Sequence, residues 1–118
     1  MDEPTYYYIC FTVIAFEFDI TEKADTEQKI KKKLKYHKLG KYDQSKIDNV
    51  RNLKNELLFE ISRNTKSRFY KGSKSQYASL NDFDTQTMIN ELGIRYSCID
   101  KNELTGIINY ALYLYHLK

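Results

Sequence analysis

From Gln44 to Ser62 the chain repeats its apolar residues at the period of an α-helix. Ile47, Val50, Leu53, Leu57 and Ile61 fall on one face, and Leu58 widens the stripe. Most residues of the other face are polar or charged. Such a segment must lay its stripe against another apolar surface, so at least one long amphipathic helix has to be accommodated. Asp43 stands where its carboxylate can accept from the first free N–H groups of that helix.

A second helix is expected over 26–39, with Asp25 or Thr26 as cap, Glu27 in its first turn and lysines at its end, the polarity that suits the helix dipole. Ile30 and Leu34 make a thin stripe, and Gly40 is the expected stop. The short link 40–43 implies an antiparallel helical hairpin. A shorter helix is expected over 85–92, capped by Asp82 or Asp84 and stopped by Gly93. A last one opens at Asp100, with Glu103 three residues on. Its face of Leu104, Ile107, Ile108, Ala111, Leu112 and Tyr115 is broad enough to pack on a sheet.

The opening segment, Thr5–Ile20, is rich in aromatic and β-branched residues, the types that favour a pleated surface. Its end alternates: Phe16, Phe18 and Ile20 on one side, Glu17 and Asp19 on the other. One long strand, or two strands broken by a bulge, is expected here, with the three apolar residues buried and the two acids exposed. A short strand is expected over 94–99, and a hairpin or loop over 63–80 around Gly72. These elements add up to an α+β fold. A small sheet is built on the long N-terminal strand and covered by the helical hairpin and the C-terminal helix, as a single domain over 1–118.

The 118 residues suffice for one core without staples. The uncharged run 6–16 is too short for a bilayer, which needs about 20 residues. Met1-Asp2-Glu3-Pro4 puts negative charge where a signal peptide carries positive. No membrane partner is therefore expected, and the expected address is the cytoplasm, or a host's cytoplasm or nucleus for a viral protein. Cys10 and Cys98 sit in apolar surroundings far apart in sequence and are expected to be buried, reduced thiols.

Charge is distributed unevenly. Residues 21–42 carry eight lysines against three acids, a net of +5, and residues 63–80 carry five bases and no acid. In the second block Arg63, Lys66, Arg68, Lys71 and Lys74 are interleaved with hydroxyls, amides and the aromatics Phe69, Tyr70 and Tyr77. Cations neutralise phosphates, hydroxyls bond their oxygens, and aromatic faces accept unpaired bases, so this block is the expected nucleic-acid contact. A lysine-protected, solvated hairpin is the plain alternative. Lys31, Lys32, Lys35 and Lys38 form a secondary basic surface; on a helix the lysines of this run spread over most of the circumference, which a solvated helix also explains.

No catalytic constellation is legible. His37 and His116 lack cysteines or carboxylates at zinc-ligand spacing, and His116 falls where a chain end usually frays. The Glu27-Gln28-Lys29 triplet has the ExK form of some nucleases but falls on a helix, and the glycines are isolated rather than gathered into a phosphate cradle. Neither a metal, a cofactor nor a small-molecule substrate is expected. The expected function is a small non-enzymatic binding protein that contacts nucleic acid through 63–77. The alternative is a protein-binding inhibitor or adaptor of viral or mobile-element origin, acting on a host nucleic-acid enzyme. The eleven tyrosines fit a contact face, although the shared abundance of Lys, Ile, Asn and Tyr also follows from AT-rich codons.

Overall fold

The computed structural model describes residues 5–17, 20–63, 66–72 and 82–117. Among these the architecture is helical: α1 (Tyr6–Ile14), α2 (Lys23–Tyr36), α3 (Gln44–Ser62), α4 (Thr85–Arg95) and α5 (Lys101–Leu112). The chain divides into two compact units, residues 1–54 and 55–118, and α3 contributes to both. The expected α+β fold is overturned, because no strand forms among the described residues.

The first correction lies at the N-terminus. Tyr6–Ile14 is a helix, not the beginning of a strand, and it packs against α2. Ile9, Cys10, Phe11, Val13 and Ile14 are all buried, leaving Thr12 and the tyrosines partly exposed. A helix buried on most of its circumference carries no polar stripe, so its sequence cannot be told from that of a central strand by periodicity. Thr12 shows how a β-branched residue is accommodated: its hydroxyl donates to the Ile9 carbonyl one turn back, at 2.7 Å.

The alternation after α1 is also reversed. Phe16 is 53% exposed and Glu17 is buried; Phe18 and Asp19 lie outside the described residues. Glu17 is drawn in by Arg51 of α3, whose Nε and Nη2 donate to Oε1 and Oε2 at 2.7 and 2.9 Å. The Lys54 ammonium, also buried, donates to the Glu17 carbonyl. Charge pairing, not side-chain alternation, therefore sets the burial of this turn. A 3-10 turn, Ile20–Glu22, leads into α2.

Along α2 the residues at 26, 30 and 34 form a single buried stripe. Its exposed face is supported by Asp25–Lys29 and Glu27–Lys31 pairs at 3.0 and 3.2 Å, each with the acid four residues N-terminal, the favourable order. In α3 the five stripe residues Ile47, Val50, Leu53, Leu57 and Ile61 are buried, and Asp43 Oδ1 accepts from the Ser45 and Lys46 N–H groups as the cap.

In the second unit α4 packs on α5. Asp84 caps α4 through the Thr87 N–H and hydroxyl, and Asp100 caps α5 through the Asn102 N–H. The strand expected over 94–99 is absent: α4 runs through Gly93 to Arg95, and the chain then turns, burying Tyr96 and Ile99. Gly93 does not stop the helix, since its φ is not left-handed and α4 continues past it to Arg95. Cys98 is exposed, contrary to expectation, while Cys10 is buried. After α5 one π-helical turn, Tyr113–Leu117, brings His116 Nε2 to 2.8 Å from Asp82 Oδ2, with the imidazole edge-on to Phe83. His116 is thus fastened into the unit rather than frayed.

Candidate nucleic-acid interface

The two basic runs fall in different units. In the second unit the structure separates the residues of the 63–77 block by role. Phe69 is 2% exposed, so its ring is a core group and no base can reach its face. Together with Leu57, Met88 and Leu92 it lines a cavity of about 200 Å³. Arg68 spans two carboxylates: Nε donates to Glu60 Oε2 at 3.1 Å and Nη1 to Glu91 Oε2 at 2.7 Å. Arg63 lies over the Phe59 ring and 3.4 Å from Glu60. Tyr70 is half-buried, edge-on to Phe83, with which it forms an isolated antiparallel bridge.

That bridge brings 69–71 beside 82–84: Lys71 N–H donates to the Asp82 carbonyl and Asp84 N–H to the Phe69 carbonyl, both at 2.7 Å. Lys66 and Lys71 are exposed. Lys74 and Tyr77 lie outside the described residues. The run free of acids in sequence is therefore not free of them in space, because Glu60 and Glu91 come from α3 and α4 to meet its arginines.

The lysine run of the first unit is different. Between Gln28 and Tyr42 there are seven lysines and no acid, and all seven are exposed. Lys29 and Lys31 carry the i,i+4 pairs described above, and Lys31 also lies 5.3 Å from the Tyr42 ring centroid. Lys32, Lys33, Lys35, Lys38 and Lys41 make no ion pair among the described residues. The negative end of the helix dipole, roughly half a charge, offsets only a small part of five ammonium groups.

The end of α2 is built by local geometry. Leu39 N–H donates to the Leu34 carbonyl and Lys38 N–H to the Lys35 carbonyl, the paired bonds of a Schellman motif. Its left-handed position is Lys38, with φ of 55°, rather than glycine. The expected stop at Gly40 is thus two residues late. The loop beyond is pinned from α1: the Tyr6 hydroxyl donates to the Lys41 carbonyl at 2.7 Å and accepts from the Asp43 N–H at 2.9 Å. Burial holds the Tyr6 phenol above its ordinary pKa, so it stays a proton donor, and Lys46 sits over its ring at 4.5 Å.

Tyr36, the last residue of α2, was not among the aromatics singled out from sequence. It is 81% exposed, and its ring meets His37 edge-on with centroids 4.9 Å apart. A helical wheel carries the signal for it: Tyr36 lies four residues after Lys32 and off the Ile30–Leu34 stripe.

No group of three His, Cys, Asp or Glu residues that could hold a metal occurs among the described residues, and none of their helices is long and apolar enough to cross a membrane. No protein-family model, curated protein or solved structure matches this chain.

Proposed function

We propose that this protein binds nucleic acid, and that the contact surface is the lysine-rich end of α2 with the loop that follows. The observation that carries the reading is the set of five exposed lysines, Lys32, Lys33, Lys35, Lys38 and Lys41, without an ion-pair partner among the described residues. Unpaired ammonium groups on one helix end attract a polyanion and release its counterions. Within the 63–77 block, Lys66 and Lys71 remain candidates for phosphate contact, whereas the arginines are engaged by carboxylates.

A gel-shift assay at low salt tests this. Lys32→Ala with Lys35→Ala weakens the shift strongly, and Lys66→Ala with Lys71→Ala weakens it less. Absence of a shift contradicts the reading. A larger loss from the second pair moves the surface back to the 63–77 block.

A protein partner is the second reading. It is favoured by Phe59, 60% exposed at the rim of the 200 Å³ cavity in the second unit. An aromatic side chain left at the edge of an apolar cavity suits a docked side chain from another chain. Recovery of one protein from lysate, resistant to nuclease and lost on Phe59→Ala, would mark that reading as correct.

A further inference from the structure

We infer that the nucleic acid bound at this surface is single-stranded, and that Tyr36 is the platform on which one of its bases stacks. The inference rests on the nucleic-acid reading above and specifies its ligand.

Tyr36 is the most exposed of the large apolar side chains in the described residues, at 81%. Tyrosine ordinarily contributes to stability by burying a large ring area, and this ring gives that contribution up. It is nonetheless not a loose side chain, because His37 meets it edge-on at 4.9 Å with the planes 85° apart. The T-shaped contact restrains the ring, and the residue's 81% exposure leaves at least one ring face open to solvent. Residues three and four apart share a helix face, so Lys33 and Lys32 are neighbours of Tyr36 on α2, with Cβ atoms about 5–6 Å away. Lys35 precedes it, and Lys38 follows on the left-handed turn.

An exposed aromatic with lysines on the neighbouring helix positions, which make no ion pair among the described residues, is the arrangement that recognises an unpaired nucleotide: the base stacks and the flanking phosphates meet ammonium groups. In a duplex the base faces are already covered by neighbouring pairs. Stacking is then closed off, and the lysines engage the phosphates. Tyr36 therefore contributes to single-strand binding and not to duplex binding. Stacking accepts any base, so little sequence preference follows.

The test is fluorescence anisotropy with a labelled strand of about 12 nucleotides, within the range of single-strand site sizes, as DNA, as RNA and as the DNA duplex. Tyr36→Ala is expected to weaken both single-strand complexes about 5- to 150-fold, the equivalent of one stacked base. Duplex affinity and the thermal midpoint are expected to stay unchanged, and Tyr36→Phe to bind like the parent protein. The DNA and RNA arms show which sugar is preferred. Unchanged single-strand binding in Tyr36→Ala overturns the inference, and so does an equal loss on single strand and duplex. Tyr36→Phe behaving like Tyr36→Ala also overturns it, by showing that the hydroxyl and not the ring face is used. If the parent protein binds none of the three probes, the nucleic-acid reading itself fails. If it binds and only the Tyr36 pattern is missing, that reading stands without this inference.

Discussion

Arg51 holds Glu17 through two parallel bonds, Nε to Oε1 at 2.7 Å and Nη2 to Oε2 at 2.9 Å, with side-chain exposures of 16% and 7%. The pair ties the turn after α1 to α3. Removing one member leaves a largely buried charge without its counter-ion, a loss of about 3–5 kcal/mol for a buried pair. Arg51→Met is expected to fall near the lower end in urea melts, because Arg51 retains some contact with water. Combining it with Glu17→Leu is expected to recover only part of the loss, since the apolar pair removes the Arg51 charge but takes the Glu17 counter-charge from the buried Lys54 ammonium. A double variant weaker than both single variants would contradict this account of the turn.

The same pair sets a pH dependence. Burial pushes the Glu17 carboxyl upward, but the bonds from Arg51 and Thr26 and the charges of Arg51 and Lys54 outweigh it, so its pKa lies below the ordinary value. A lowered carboxylate pKa means that the stabilisation is fully present above the unfolded value, about 4.3, and is lost as pH falls below it through the folded value. The stability gap between parent and Glu17→Gln is therefore expected to be constant near neutrality and to close in acid. Melts at a series of pH values measure it, and a gap that widens in acid would have the wrong sign.

α3 and the caps of α3, α4 and α5 were legible in the sequence because each rests on local chemistry. A long stripe from Ile47 to Ile61 has one period, and Asp43, Asp84 and Asp100 each reach an N–H two or three residues ahead. α1 was not legible, because Tyr6–Ile14 has no charge to mark an outer face and its aromatic and β-branched residues favour strands when nothing else decides. Local propensity yielded there to packing against α2. Glu17 was misplaced because its partner lies 34 residues away. The pairing of Arg68 was not legible for the same kind of reason: Glu60 and Glu91 reach it from 8 and 23 residues away. Among the described residues the α2 lysines pair with acids only within their own helix, so there sequence reports their charge faithfully.

Gly93 sits inside α4, and a Cβ there would meet Leu104 Cδ2 at 3.8 Å, an ordinary contact. Its φ is not left-handed, so glycine is not required. Gly93→Ala is expected to stabilise the protein by about 0.8–1 kcal/mol, the difference in helix propensity. A lower thermal midpoint would show that α4 and α5 are closer than this contact implies.

Tyr6 makes two hydrogen bonds to the loop that carries Lys38 and Lys41. Tyr6→Phe keeps the ring and removes both. About 1–3 kcal/mol of stability is expected to go, since each of the two bonds contributes about 0.5–1.5 kcal/mol net. Hydrogen exchange of the Asp43 N–H is expected to quicken, and unchanged exchange there would mean that the loop is held by other contacts.

Lys38 occupies a left-handed position that disfavours any side chain with a Cβ, by about 1–2 kcal/mol. Lys38→Gly relieves this and is expected to stabilise the fold by about 1 kcal/mol after glycine's own entropy loss. The same change removes one of the five lysines and is expected to weaken nucleic-acid binding. A higher melting temperature with lower affinity is the expected combination. A variant that gains stability and loses no affinity would remove Lys38 from the surface.

The salt dependence of affinity tests the central claim most directly. Kd for a labelled single strand, measured between about 50 and 200 mM salt, gives the number of phosphates neutralised from the slope of log affinity against log salt, at about 0.7 per contact. Engagement of all five lysines gives a slope of about −3.5. Lys32→Ala with Lys35→Ala removes two contacts and makes it shallower by about 1.4. A slope near zero, or no binding at the low-salt end where electrostatic attraction is strongest, would contradict the account.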